Sequence, residues 1–318
     1  MLKTTPPLDA RGTYAIDVLS SGDFETVPYA GRQDALAKKL GLDLGAIVFA
    51  LDHIPLALNG PAHRQRRAEV SKLIRAHMPD LTEKLPDIAR SGAAPLAKAG
   101  PVNVLDAVIL PIVGDVLAAL TGSRLAEQMS LVSRTFSQTL GPGQRKRLQA
   151  ELAAIKADFE DQFPDATSDE IGARVALVIL GRDALIGTLA RSMKHHFDLA
   201  DGNRLTDVEA PKAPLRTGVP YIDRVAKTDT DLGGDPVPEG TVVRCHLQSL
   251  EEMEEVPYQR FFGAGPHVCL GRPMSLSLYE LVSAELAKLP VFVSNVDLAF
   301  RKDDVFLYPS RFSAEVTL

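Results

Sequence analysis

The chain comprises 318 residues, with 45% hydrophobic composition and a formal net charge of −6. This length allows a large buried core, and the acidic balance argues against nucleic acid as the main partner. Two cysteines, Cys245 and Cys269, are too few for a disulfide framework and are typical of a reducing compartment. The N-terminus has no apolar segment of the kind found in signal peptides or membrane anchors. We therefore expect a cytoplasmic protein without a membrane partner.

The first half of the chain alternates between irregular and apolar segments. Residues 1–40 show no regular pattern and are expected to be irregular. Asn59-Gly60-Pro61 marks a turn, and Pro61 suits the first turn of a helix that is predicted to run to about His77. Val104–Leu120 is strongly apolar and is followed by Gly122, so it predicts a helix that stops there.

The second half contains the longest predicted helix. A capping box at Thr167 and Glu170 predicts a helix that continues to about Phe197, about 45 Å long at 1.5 Å per residue. Strand-like pieces follow between 221 and 243, and an amphipathic segment over 270–289 predicts a last helix. Because there are no repeats or linker-like segments, we expect residues 1–318 to form a single, mainly α domain with small β-sheets.

The segment 262–271, with the sequence FGAGPHVCLG, holds Cys269 in a glycine-rich loop immediately before the last predicted helix. Gly263 and Gly265 allow a tight turn, and Phe262 offers an apolar face beside the sulfur. At a helix N-terminus, free N–H groups and the helix dipole favour a thiolate. A thiolate held by backbone donors in an apolar niche suits an axial iron ligand. The alternative for a lone cysteine is a buried structural role.

This segment resembles the haem-binding loop of the cytochrome P450 family, F-G-x-G-x-H-x-C-x-G, at every fixed position. The resemblance implies a trimmed cytochrome P450 fold of the short, soluble, bacterial type, with haem b as cofactor. It also implies that Cys269 is the proximal thiolate ligand of the iron and that His267 donates to a haem propionate. Phe262, Gly263 and Gly271 complete the implied cofactor-binding loop.

The helix after Pro61 carries a second indication of an anionic ligand. His63 and Arg67 are four residues apart and share a face with Val70 and Ile74, so both are predicted to point inward. Buried cations need a partner, which is either backbone and carboxylate groups or, as the P450 resemblance implies, a haem propionate. The other faces of this helix carry cations that could dock an acidic ferredoxin or simply meet solvent: Arg64, Arg66, Lys72 and Arg75.

The segment 219–234 resembles the part of cytochromes P450 in which an arginine precedes a β-hairpin. By this resemblance, Arg224 is a further propionate ligand. The residues just before it, including Val219 and Tyr221, are expected to border the substrate cavity.

The long helix departs from the family pattern at the position that faces the iron. Where cytochromes P450 typically carry A/G-G-x-D/E-T-T, residues 180–185 read LGRDAL. Gly181 is predicted to leave room for dioxygen and Asp183 to deliver protons, whereas Ala184 replaces the family threonine that helps to protonate an iron-bound peroxide. Leu180, Arg182 and Ala184 are predicted to line the substrate pocket. Alternatively, Arg182 and Asp183 form a surface ion pair.

Two further departures concern the surroundings of the haem. The family's Glu-x-x-Arg ion pair corresponds best to the segment from Ala213 to Arg216, which keeps the arginine and lacks the glutamate. Glu209 and Lys212 form a weaker candidate pair. The meander that precedes the cysteine loop in the family is reduced to residues 248–260. These changes leave the cysteine loop intact and weaken the expectation of ordinary oxygen activation.

Three functions follow from these observations. The first is monooxygenation of a small organic molecule by dioxygen, with electrons from a separate ferredoxin and reductase. The second is a haem-thiolate reaction without conventional oxygen activation, such as that of a peroxygenase, isomerase, dehydratase or coupling enzyme, which Ala184 favours. The third is a non-catalytic haem-binding partner protein. No G-x-G-x-x-G motif follows a strand, so a reductant must come from another protein.

Overall fold

The computed structural model describes residues 6–124, 131–137, 139–214, 216–251, 253, 260–301 and 305–318. These residues form a mainly helical architecture with three small β-sheets. The α-helices in this part of the chain are α1 (Thr13–Ser20), α2 (Tyr29–Leu40), α3 (Gly45–His53), α4 (Gly60–Ala93), α5 (Leu110–Thr121), α6 (Pro142–Gln162), α7 (Ser168–Ala200) and α8 (Arg272–Leu286). The strands are β1 (Leu8–Ala10), β2 (Phe24–Thr26), β3 (Gly100–Asn103), β4 (Tyr221–Ala226), β5 (Thr230–Leu232), β6 (Asp235–Val237), β7 (Val242–His246), β8 (Phe292–Phe300) and β9 (Pro309–Thr317).

The prediction that residues 1–40 are irregular is wrong. β1 pairs in parallel with β7 and β2 pairs antiparallel with β4, so this segment supplies both edges of the sheet β1-β7-β4-β2. α1 buries Ala15, Val18 and Leu19 in a hydrophobic cluster with Val243 and Phe261. Strands of three residues are too short to leave a hydrophobic period in the sequence, and they form here because partner strands complete their hydrogen bonds.

Helix α4 starts at the predicted turn but continues to Ala93 instead of ending near His77. It passes through Pro79 and Pro86, each of which removes a helical hydrogen bond. Its second half buries an apolar stripe against neighbouring helices, and this packing outweighs the local cost of the prolines. The stripe consists of Leu81, Leu85, Ile88 and Ala89.

Helix α7 crosses the centre of the molecule and contacts α3, α4, α5, α6 and α8. The predicted capping box is confirmed, since Thr167 Oγ1 accepts from the Glu170 N–H at 3.3 Å and Glu170 Oε2 accepts from the Thr167 N–H at 3.0 Å. The helix ends at Ala200, close to the predicted Phe197. Its middle is therefore held rigidly in the core, where it can face a bound ligand.

The strand segments bring two distant parts of the chain against α7. The segment after β8 reaches the segment before β4, where the Leu307 N–H donates to Gly218 O at 2.8 Å. Gly218 itself lies so close to α7 that an added Cβ would be 2.5 Å from the Ala184 carbonyl oxygen. No helix in the described part of the chain is both long and apolar enough to cross a lipid bilayer.

Candidate functional site

A cavity lies between α7 and the loop that carries Cys269. It encloses about 1310 Å³ of space between atoms, including the part that is open to solvent. The walls come from α4, α5, α7, the segments 217–222 and 261–275, and Phe306 after β8. Most of the lining side chains are apolar, which is the character expected of a small-molecule or cofactor pocket.

Cys269 faces this cavity from a loop whose backbone is closed on itself. The Cys269 N–H donates to Phe262 O at 2.9 Å, and Gly263 and Gly265 adopt φ values of 87° and 64°, which only glycine adopts readily. Gly271 is the N-cap residue of α8, which begins at Arg272, two residues after the start of the predicted segment 270–289. The loop therefore presents the sulfur at the start of a helix.

The backbone N–H groups of Gly271 and Arg272 lie next to the sulfur of Cys269, where they favour its thiolate form. The Cys269 side chain is exposed toward the cavity, but the protein around it partly desolvates the thiol and raises its pKa, and these donors, together with the charges of Arg67 and Arg272, oppose that rise. A metal cation bound at the sulfur would remove the proton and leave a thiolate that these donors stabilise. This donor set suits an iron–thiolate bond.

A cluster of basic side chains adjoins the same end of the cavity. His267 and Arg67 line the cavity, and His63 stacks on His267. Burial lowers the pKa of both histidines, that of His267 to about 3, and the nearby charge of Arg224 lowers both further. Arg224 is only 3% exposed. The four groups thus come together from three distant parts of the chain.

Three buried nitrogen atoms of this cluster have no hydrogen-bond partner: Nε2 of His63, Nδ1 of His267 and Nη2 of Arg224. A buried donor without a partner costs about 1–3 kcal/mol. Carboxylates placed among these atoms would remove that cost and balance the charge of Arg224. An apolar slot, a thiol with two backbone donors and an adjoining carboxylate-binding cluster together fit haem, which has an apolar ring, an iron and two propionates.

Helix α7 covers the cavity with Leu180, Gly181 and Ala184, as predicted, and with Thr188 one turn later. The Thr188 hydroxyl donates to Ala184 O at 2.8 Å and accepts from the Gly218 N–H at 2.9 Å. This hydroxyl is therefore already engaged in two backbone hydrogen bonds. Gly181 leaves space that a side chain would fill, since an added Cβ would lie 3.2 Å from Leu117 Cδ2.

The expectation that Arg182 and Asp183 face the cavity is wrong, since neither residue is among those that line it. Asp183 is fully buried and forms ion pairs with Arg182 and with Arg301, whose Nη2 lies 3.8 Å from Asp183 Oδ2. Both guanidinium groups lie over the ring of Tyr308. Positions 181, 184 and 188 share one helix face, and positions 182 and 183 point away from it. The alternative of an ion pair is correct, but the pair is buried and not on the surface.

Tyr221 also lies outside the cavity, whereas Val219 and Ile222 line it. Tyr221 borders a second, more polar cavity and stacks on the guanidinium of Arg244, 3.8 Å from its ring centroid. Ile222 borders both cavities, whereas Tyr221 borders only the second. Arg224 borders the second cavity as well. Its charge nevertheless acts on His63 and His267, so it lies close to both histidines.

Several lining residues carry no signal in the sequence. Phe306, which is 2% exposed, enters the cavity from the segment between β8 and β9, and Leu117 and Leu120 enter from α5. They belong to apolar segments far from any motif, so only the tertiary structure identifies them. Of the predicted meander at 248–260, residues 252 and 254–259 lie outside the described residues.

The basic residues on the outer faces of α4 are partly engaged in ion pairs. Arg66 pairs with Glu69 and Asp169, and Lys72 Nζ lies 3.7 Å from Glu170 Oε1. Arg64 and Arg75 are exposed. Two of the four cations on these faces thus lie beside carboxylates.

Comparisons with known proteins give a clear result only at the level of structure. No protein-family model matches the sequence, and no curated protein matches it. Among solved structures, P450BioI in complex with an acyl carrier protein ligated to hexadec-9Z-enoic acid is 15% identical, with a TM-score of 0.79 over 98% of this chain and 93% of that chain. The tirandamycin C-bound P450 monooxygenase TamI is 20% identical, with a TM-score of 0.76 over 97% of this chain and 89% of that chain.

A thermophilic cytochrome P450 from Sulfolobus tokodaii is 15% identical, with a TM-score of 0.74 over 99% of this chain and 95% of that chain. These likenesses show that the chain adopts the cytochrome P450 fold. The mainly α architecture with small β-sheets that the cysteine loop implied is thereby confirmed.

Proposed function

We propose that this protein is a haem-thiolate oxidoreductase that binds haem b through Cys269. It would monooxygenate a small organic molecule, with dioxygen as oxidant and electrons from a separate ferredoxin and reductase. The observation that carries this proposal is that Cys269 and His267 line one apolar cavity, while His63 and Arg224, which adjoin His267, leave buried nitrogen atoms without a partner, as does His267 itself. The fold of the chain supports it, since the structural neighbours are cytochromes P450.

When bound, haem supplies the redox chemistry, and the residues of this chain bind and shield it. The N–H groups of Gly271 and Arg272 bear part of the negative charge of the Cys269 sulfur and so moderate its electron donation. His63, Arg67, Arg224 and His267 would bind the propionates. The apolar face of α7 excludes water and holds the apolar part of a substrate.

The residues of α7 that were expected to deliver protons do not place a free proton donor in the cavity. Asp183 does not line it, Ala184 has no hydroxyl, and the Thr188 hydroxyl is engaged with backbone groups. In a monooxygenase of this construction, ordered water or a substrate hydroxyl takes that role. The same observation favours a second candidate function, a haem-thiolate reaction that needs no relay from α7, such as peroxide-driven oxidation, isomerisation or dehydration.

The carbon monoxide difference spectrum of the haem-reconstituted, dithionite-reduced protein tests the proposal. We expect the red-shifted band of a thiolate-ligated haem in the wild type and its loss in Cys269→Ser. Cys245→Ser is the matched control, because Cys245 is buried in β7 and burial raises its pKa to about 12, so it should keep the band. A wild type that takes up no haem, or that shows only the band of a thiol- or histidine-ligated haem, would overturn the proposal in favour of a non-catalytic role.

Turnover assays then separate the two candidates. Product formation with ferredoxin, reductase and NAD(P)H supports monooxygenation. Product formation with hydrogen peroxide alone supports the peroxide-driven alternative.

A further inference from the structure

Glu251 forms an ion-pair network with two partly exposed arginines that are distant in the chain. Its carboxylate is bound in bidentate fashion by Arg191, with Nη2 at 3.1 Å from Oε2. Arg216 Nη1 lies 3.7 Å from the same Oε2. The side chain of Glu251 is only 5% exposed. The Thr217 N–H also donates to Oε1 at 2.8 Å, so backbone and side-chain donors converge on this one carboxylate.

The network joins three separate elements. Arg191 belongs to α7, Arg216 and Thr217 precede β4, and Glu251 follows the short turn after β7. A second layer of contacts strengthens the joint, because Arg191 Nη1 donates to Thr217 O at 2.7 Å and Ser192 Oγ donates to Arg216 O at 3.2 Å. The segment at 216–217 is thus held to α7 through both its backbone and its side chains.

This segment is a wall of the cavity. Thr217 and Val219 line the cavity directly. Gly218, between them, is packed against α7 with no room for a side chain, since an added Cβ would lie 2.5 Å from the Thr188 nitrogen. A shift of this segment would therefore change the shape of the cavity.

The same turn of α7 also holds the helix that follows Cys269. The Tyr279 hydroxyl on α8 donates to Ser192 O at 3.2 Å, and Tyr279 is 1% exposed. Residues 191 and 192 of α7 thus contact the cavity wall on one side and the cysteine helix on the other.

We propose that Glu251 is a positioning residue that fixes the wall at 216–219, and through α7 the helix α8, in the geometry that retains haem. The segment at 213–216 has no glutamate to pair with Arg216. Glu251, from a different part of the chain, supplies that carboxylate. The physical reason is that a buried carboxylate paired with two guanidinium groups resists displacement, because moving any partner leaves an uncompensated charge. This inference rests on the proposed function, since it assigns Glu251 a role in holding the cofactor.

The test compares Glu251→Gln with Glu285→Gln. Glu285 lies on α8 and pairs with Lys288 at 2.6 Å, outside the cavity, so the control removes the same charge from an ion pair. The rate of haem transfer to apomyoglobin is measured, together with the carbon monoxide difference band, after far-UV circular dichroism has shown that both variants are folded. We expect haem transfer from Glu251→Gln to be faster by about tenfold or more with partial loss of the thiolate band, and Glu285→Gln to behave as the wild type.

Two further measurements keep the inference distinct from the proposed function. In a double-variant cycle, Arg191→Gln should add little to Glu251→Gln if the two residues act as one unit. Hydrogen exchange of the amides at 216–219 in the haem-free protein should be faster in Glu251→Gln than in Glu285→Gln. A wild type without thiolate-ligated haem overturns the proposed function. The positioning role is then tested by hydrogen exchange of the amides at 216–219 alone. Equal haem transfer in both variants, or equal exchange, overturns the positioning role.

Discussion

The imidazole ring of His63 on α4 stacks on that of His267 in the loop before Cys269, with ring centroids 4.0 Å apart and 40° between the planes. Each ring has one buried nitrogen without a hydrogen-bond partner. The charges of Arg67 and Arg224 act on both rings and oppose their protonation. This arrangement is electrostatically unfavourable by itself and becomes favourable when an anion lies among the four groups.

The first prediction concerns Arg224, whose guanidinium is buried with one unpartnered nitrogen. Arg224→Met should stabilise the haem-free protein by about 1–3 kcal/mol, because it removes a buried donor without a partner. The same change should weaken haem binding, because a propionate loses its partner. Urea unfolding of the haem-free protein and haem transfer measure the two effects.

Arg244→Met is the control for this prediction. Arg244 lies on the neighbouring strand β7 and pairs with Asp223 in bidentate fashion at 2.9 and 3.0 Å. Its removal should destabilise the haem-free protein. If Arg224→Met also destabilises it, the cluster is not a preformed anion site.

The second prediction concerns Asp183, which the sequence placed at the cavity and the structure places in a buried ion-pair cluster. Asp183→Asn should lower the free energy of unfolding by about 3–5 kcal/mol, because it leaves the charges of Arg182 and Arg301 uncompensated. Asp297→Asn, which breaks an exposed pair with Arg311, should leave the free energy of unfolding close to that of the wild type, because solvent screens exposed charges. If Asp183→Asn instead keeps the stability of the wild type and loses turnover, the result would support Asp183 as a proton donor.

The third prediction concerns the size of the cavity. Phe306→Ala should increase the affinity for 4-phenylimidazole relative to imidazole by about tenfold, because the removed ring leaves space for an added one. Azole-induced difference spectra of the haem-loaded protein give both dissociation constants. Phe312→Ala, in the core at β9 and away from the cavity lining, should lower stability without changing this ratio. An unchanged ratio in Phe306→Ala would show that the ring does not limit ligand size.

The fourth prediction concerns His196 on α7, which is fully buried within 3.5 Å of Ser283 Oγ. Burial, and secondarily the charge of His195, lowers the pKa of His196 from 6.5 to about 4. Between these pH values the unfolded chain binds a proton that the folded protein does not bind. The free energy of unfolding should therefore fall as the pH drops from 6.5 towards 4, by up to about 1.4 kcal/mol per pH unit.

Urea unfolding of the wild type and of His196→Gln between these pH values measures this slope. The variant should show a shallower dependence, because glutamine does not titrate. Identical slopes would mean that other groups dominate the pH dependence.

Features that depend on a few consecutive residues could be predicted from the sequence. The capping box at Thr167 and the loop at 262–271 are of this kind, because their hydrogen bonds join residues no more than seven positions apart. The end of α4 could not be predicted, since the stretch beyond Pro79 is helical only because Leu81 and Leu85 pack against other helices. The short strands β1 and β2 likewise depend on partners found more than 190 residues later.

The cysteine loop, the inward-facing His63 and Arg67, and the resemblance to cytochromes P450 could all be read from the sequence. These signals reside in local spacing, where residue type and backbone geometry are directly linked. That Asp183 turns away from the cavity and that Phe306 enters it became evident in the folded structure. The folded structure also shows that Arg216 finds its carboxylate in Glu251. Those outcomes depend on which distant elements pack together. An ion pair between residues far apart in the chain produces no recognisable sequence pattern.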